Sequence, residues 1–206
     1  MTTIRWNGWL AALAFVFALP VFAQSAQTPD ALIRQVSTEV LDAVRDDPSI
    51  KAGDVQKVAA LVDSKVMPHL NFQRMTATAV GRHWRQATPE QQKRLQSEFK
   101  LLLIRTYSGA LAQVKDQTVE LKPVRSSPSD TEVVVRTEVR GKGDPVQLDY
   151  RLEKSGNGWK IYDVNVLGVW LVENYRNSFA QEIGANGIDG LIAKLAERNR
   201  SAGSKS

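Results

Sequence analysis

The spacing of apolar residues changes twice along this chain, and that change restricts it to a mixed helix-and-sheet fold. From about residue 30 to 115 apolar side chains recur every three or four positions. From about 117 to 167 they alternate, and beyond 169 the helical spacing returns. Asp30-Ala31-Leu32-Ile33 opens a run through Val36, Val40 and Val44 that stops near Asp47-Pro48. Asp54 is placed to cap a second helix carrying Val55, Val58, Leu61, Val62 and Val66 as far as Pro68. A third helix is expected over about 71–85. Thr88-Pro89-Glu90-Gln91 is the sharpest start signal, with a capping hydroxyl, proline at the first helical position and a reciprocal Gln three residues on. Behind it Leu95, Phe99, Leu102, Leu103, Tyr107, Leu111 and Val114 form one long apolar stripe.

The alternating region reads as four strands. Val119 and Leu121 mark the first. Val133, Val135, Thr137 and Val139 form the second, Val146, Leu148, Tyr150 and Leu152 the third, and Trp159 to Val166 the fourth. Gly-rich segments at 141–144 and 155–158 join neighbours, so the expectation is an antiparallel meander with one covered face and one wet face. Helices resume over 169–183, and after Gly184 and Gly187 Asp189 is expected to cap a last helix. Helices, then strands, then helices define an α+β domain: a four-stranded antiparallel meander with one face covered by N- and C-terminal helices. Residues 24–199 are read as this single domain and 200–206 as a disordered tail.

The first 23 residues have another purpose. Arg5 precedes the short apolar run Trp9–Leu19, Pro20 breaks it, and Val21-Phe22-Ala23 offers small residues to a signal peptidase, with Ala26 as a second cleavage point. The run is too short to span a bilayer comfortably. Export with cleavage leaves 183 residues, enough for one sizeable core. Although export permits disulfides, the chain has no cysteine, so packing alone must hold it together. Loss of Arg5 takes the formal net charge from +5 to +4. Charge is uneven: within 71–115 stand Arg74, Arg82, Arg85, Lys93, Arg94, Lys100, Arg105 and Lys115 against only Glu90 and Glu98. This is either an ordinary solvated helix face or a docking face for anionic headgroups or an acidic partner. An exported chain without a recognisable nucleic-acid module is not expected to bind nucleic acid.

Residues suited to catalysis are scarce. His69 and His83 lie in no metal-ligand spacing, and neither a nucleophile elbow, a phosphate-cradling loop nor a dinucleotide fingerprint is present. Asp163, between Tyr162 and Val164, reads as a buried carboxylate bonded within the sheet rather than as a general base. No enzyme activity, cofactor or metal is expected.

The segment Trp159-Lys160-Ile161-Tyr162-Asp163-Val164-Asn165-Val166-Leu167-Gly168-Val169 resembles the MlaC-type family of periplasmic phospholipid shuttles, also called toluene-tolerance proteins. The likeness continues through Asn174-Tyr175-Arg176, Phe179 and Gly187-Ile188-Asp189-Gly190-Leu191-Ile192. Upstream it takes in Trp84, Ala87-Thr88, Gln91, Phe99, Thr106-Tyr107 and Pro145-Val146, and it runs over about residues 32–199. It implies a periplasmic carrier that encloses acyl chains in an apolar pocket between a curved sheet and helices. Its implied partners are an outer-membrane lipoprotein or porin complex and an inner-membrane ABC transporter complex, with maintenance of outer-membrane lipid asymmetry as the outcome. A related branch is associated with hopanoid lipids, which leaves the exact lipid open, and an exported cone-fold enzyme is the alternative of a different class.

On this basis the expected lipid contacts are the inward sheet residues Val133, Val135, Val146, Leu148, Tyr150, Val164 and Val166, with Val169 beyond the turn. Leu103, Tyr107 and Leu111 are expected to oppose them. Trp170 replaces a small polar residue common in the family and is expected to narrow the pocket mouth.

Overall fold

A computed structural model describes residues 27–203 apart from 112, 125, 128 and 157. The expected signal peptide, residues 1–23, lies outside them. The first helix, α1, spans Pro29–Asp46 and a short α2 spans Pro48–Lys51. Next, α3 (Val55–Leu61) runs on through a π turn and a 3-10 turn to His69. After Asn71 come α4 (Phe72–Val80) and α5 (Pro89–Leu111). Several starts follow directly from the caps. The Asp54 carboxylate accepts from the N–H groups of Gln56 and Lys57. Thr88 N–H donates to Gln91 Oε1 at 3.0 Å while Gln91 N–H donates to Thr88 Oγ1 at 3.2 Å, completing the box read in the sequence. The third helix ends earlier than expected. Gly81 takes φ +66° and ψ −140°, which stops the α-helix at Val80 and leaves 81–86 as a tighter 3-10 segment.

Five antiparallel strands follow in the order β1-β2-β3-β4-β5: Thr118–Leu121, Glu132–Arg140, Val146–Ser155, Gly158–Val166 and Val169–Trp170. The meander therefore has one strand more than the four expected. The extra strand arises because Leu167 and Gly168, both at positive φ (52° and 89°), turn the chain tightly and pair Val169 with Val166. Reading Gly168-Val169 as a strand-to-helix corner missed this hairpin.

The final helix, α6, covers Leu171–Gly203 and breaks at Gly187, where φ is +71°. It continues past Arg200, where the tail was expected to begin. Asp189, expected as a cap, accepts a hydrogen bond from Gln91 Nε2 of α5 at 2.9 Å.

Antiparallel partners share a face, so the register sorts the sheet into rows. The inner face carries Val133–Leu152–Ile161, then Val135–Tyr150–Val164, then Leu121–Thr137–Leu148–Val166–Val169, and finally Val119–Val139–Val146. A bulge opposite Arg151 and Leu152 inserts Tyr162 and keeps Ile161 and Val164 on the same side despite their spacing. Leu32, Ile33 and Val36 of α1 seal the first rows. A second cluster joins α4, α5 and α6. There Phe99 meets Phe72, Tyr175 and Phe179 with ring centroids 5.1–5.9 Å apart. Leu70 packs against both clusters, and Val40 links the sheet cluster to a third around Val44, Val58, Leu61 and Ile104.

Candidate lipid-binding face

Exposure rises along the inner face from one end to the other. Val133, Val135, Leu152 and Ile161 are buried under α1. Tyr150 and Val164 in the next row are half-buried and pack against the same cluster. The Tyr150 hydroxyl itself is enclosed, and burial pushes it up, tempered by hydrogen bonds with Ser37 and Thr137. Leu148 and Val166 are half-buried. Val146 and Val169 are 38 % and 49 % exposed, and Leu167 at the hairpin turn is 66 % exposed. These residues form an apolar corner where β3, β4 and β5 meet, continuous with the covered part of the face. Methylene-rich ligands need such a surface, which offers no directional polar group and excludes water progressively.

Eight expected contact residues thus share one face: Val133, Val135, Val146, Leu148, Tyr150, Val164, Val166 and Val169. The three from α5 divide. Leu103 packs against the α4–α5–α6 cluster, and Leu111 packs against the cluster around Val44 and Ile104. Tyr107 is half-buried, its hydroxyl pushed up by burial with Tyr175 nearby. They line one stripe of α5 in sequence, but the stripe is shared among different helical neighbours.

Trp170 departs from the expected mouth position. Its register partner is Asn165, which sits in the row Arg136–Asp149–Asn165–Trp170 on the outer face. The Arg151 guanidinium lies 3.8 Å from the centre of its ring. The indole therefore covers the polar side of the sheet, opposite Val166. Trp170→Ser should lower stability by about 2 kcal/mol through lost burial and the lost cation–ring contact. The lipids recovered from the variant should match those of the parent; a broadened lipid profile would return Trp170 to the mouth.

The outer face is wetter, yet near β5 it too is closed. Asp163 is buried there. Its Oδ1 accepts from the N–H groups of Val164 (2.9 Å) and Val172 (3.2 Å), and Oδ2 faces Arg151 Nη1 at 3.2 Å. Burial pushes this carboxyl up, while the two N–H donors and Arg151 oppose the rise. With its lone pairs committed to the start of α6, Asp163 has a structural task, as the sequence reading expected. Farther along, Arg74 of α4 pairs with Glu132 and Glu153 and lies 3.6 Å from the centre of the Tyr162 ring, tying α4 to the outer face.

Sequence reasoning missed Leu167, the most exposed large apolar residue of the corner. Leu167 and Gly168 fill the two-residue turn between Val166 and Val169, both at positive φ, and of the two Gly168 alone carries a turn signal in the sequence. Leucine is poorly suited to φ 52°. Leu167→Asn should raise stability by about 1 kcal/mol in urea unfolding, because asparagine tolerates this conformation. A destabilised variant would mean that the leucine side chain contributes more than its backbone costs.

Residues 34–197 match the family model described as MlaC protein. The chain belongs to the MlaC family. It is 25% identical to the toluene tolerance protein ttg2D of Pseudomonas putida, across 98% of this chain and 96% of that one. To the intermembrane phospholipid transport system binding protein MlaC of Haemophilus influenzae it is 21% identical, across 96% and 95%. A phospholipid-binding protein from Ralstonia solanacearum, solved in complex with a phospholipid, is 50% identical. The match covers 87% of this chain and 99% of that one, with a TM-score of 0.82. The α+β architecture with its antiparallel sheet and flanking helices is thus shared with this solved phospholipid-binding relative. Among the described residues no helix is long and apolar enough to cross a membrane.

Proposed function

We propose that this chain is a periplasmic carrier that holds phospholipid acyl chains on the inner sheet face and moves lipid between the outer membrane and an inner-membrane ABC transporter complex. On this reading it is exported, cleaved after Ala23 or Ala26, and has no catalytic chemistry of its own. The supporting observation is the graded apolar face ending at Val146, Leu167 and Val169, in a chain half-identical to a protein solved with a phospholipid. Two acyl chains expose on the order of 30 methylenes, a penalty of roughly 24 kcal/mol in water, so unassisted passage is negligible. A carrier has to return almost all of that through apolar contact without exceeding the bilayer by much. A surface that passes from buried to exposed within one sheet face suits such a task, since a chain enters by continuous replacement of water. The expected contacts are Val146, Leu148, Val164, Val166 and Val169 at the open end, while Val133, Val135 and Tyr150 continue the same face beneath α1 and Leu103, Tyr107 and Leu111 pack among the helices.

The test is organic extraction of the purified protein followed by lipid mass spectrometry and a transfer assay between two vesicle populations. Near-stoichiometric phospholipid and protein-dependent transfer are expected. Hopanoid in the extract would change the cargo within the same fold. An empty extract with no transfer would defeat the carrier reading.

A further inference from the structure

A recess of about 440 Å³ opens between the end of α4 and α6, lined by Thr78, Gly81, Arg82, Trp84, Arg85 and Arg176. Three guanidiniums border it and no carboxylate does. Among the described residues Arg82, Arg85 and Arg176 enter no ion pair. The contact Arg82 makes is from Nε to His83 Nε2 at 3.4 Å. Arg74, about two turns earlier on α4, is by contrast neutralised by Glu132 and Glu153. The carbonyl end of α4 offers only about half a negative charge, too little to gather three cations.

Gly81 contributes to the convergence. At φ +66° it turns the chain so that a Cβ built there would lie 3.8 Å from Arg176 Nε, which places the α6 guanidinium over the turn that carries Arg82 and Arg85. Like charges gathered without a counter-charge call for an anion from outside. The guanidinium fork matches phosphate oxygens in paired hydrogen bonds. Trp84, half-buried in the wall, brings the amphipathic ring that favours the headgroup level of a bilayer.

We infer that the Arg82–Arg85–Arg176 recess seats the headgroup phosphate of an anionic bilayer lipid, making it the face on which the protein rests against a membrane. The inference stands without the carrier reading, because it needs no lipid inside the protein. Of the eight cations clustered in sequence over 71–115, Arg82 and Arg85 line the recess, and Arg176, ninety-one residues beyond Arg85, joins them.

The experiment is flotation of the purified protein with phosphatidylcholine vesicles, with and without phosphatidylglycerol, at low ionic strength. The parent should float with the anionic vesicles and release as salt rises. Combined Arg82→Gln, Arg85→Gln and Arg176→Gln should weaken the association by on the order of 100-fold, and Arg85→Gln alone by about five-fold. The control combines Arg34→Gln, Lys142→Gln and Lys154→Gln, exposed cations elsewhere, and should lose far less for the same net charge. Circular dichroism establishes that each variant is folded, and the single variant carries the test if the triple one is not. Equal losses in both triple variants would reduce the effect to net charge and overturn the site. Two further results would also overturn the bilayer assignment in the absence of vesicle association. One is calorimetric binding of inorganic phosphate that the triple variant loses, which marks a free-phosphate site. The other is binding of polyglutamate that it loses, which marks an acidic protein partner.

Discussion

Val169→Glu should yield a folded, exported protein that purifies with less than about a tenth of the parent's lipid and fails in transfer. Val169 is half exposed at the open end of the inner face, so without lipid its new carboxylate sits in water and costs the fold little. With lipid in place the same carboxylate meets acyl methylenes, and burying it unpaired costs several kcal/mol. Val135→Glu should behave in the opposite way. Val135 is fully buried beneath α1, so the whole cost falls on folding and the variant should fail to accumulate. Circular dichroism with quantified lipid extraction separates the two. An unfolded Val169→Glu protein, or a folded one with full lipid, would remove Val169 from the site.

Asp163→Ala should destabilise the protein by about 3 kcal/mol, the largest loss expected from any side chain outside the apolar clusters. The change leaves the N–H of Val172 without its acceptor at the start of α6 and Arg151 without its closest carboxylate. The pH dependence has a definite sign. Burial raises the Asp163 carboxyl above its unfolded value of about 3.9, so the folded state holds this proton more tightly. Its contribution to stability is therefore greatest at low pH and diminishes as pH rises from the unfolded value to the raised folded one. Glu132 and Glu138 act in the other direction. Hydrogen bonds from Arg74 and Lys122 respectively hold them below the usual range, and their contribution is lost as pH falls. Urea unfolding of the parent and of Asp163→Asn from pH 4 to 8 isolates the Asp163 part. The difference between them should shrink with rising pH; a growing difference would mean that the carboxyl is held low in the fold.

Much of the architecture was legible because local chemistry settles it. The Thr88 capping box, the Asp54 cap, the Gly187 break and the alternation of Val133, Val135 and Thr137 are each decided within a few residues, and each stands in the structure. Where the reading went astray, the deciding contacts were remote or the turn was unusual. The fifth strand depends on a leucine in the left-handed region, a residue that gives no turn signal. The α5 stripe of Leu103, Tyr107 and Leu111 is regular in sequence, but nothing in that regularity says which cluster each residue meets.

The division between sequence and tertiary structure is clearest on the two faces of the sheet. By itself the sequence determined that the third strand has an apolar side and a polar side, since the side-chain period of a strand is two. It also determined the family, through motifs spread over nearly the whole domain. Only the tertiary structure decided which parts of the apolar side α1 seals and which remain open at Val146 and Val169. Register across the β4–β5 hairpin placed Trp170 with Asn165 on the far side, and the packing of α6 brought Arg176 to Arg82 and Arg85. Burial and charge convergence arise from neighbours distant along the chain, and no local spacing of residues encodes them.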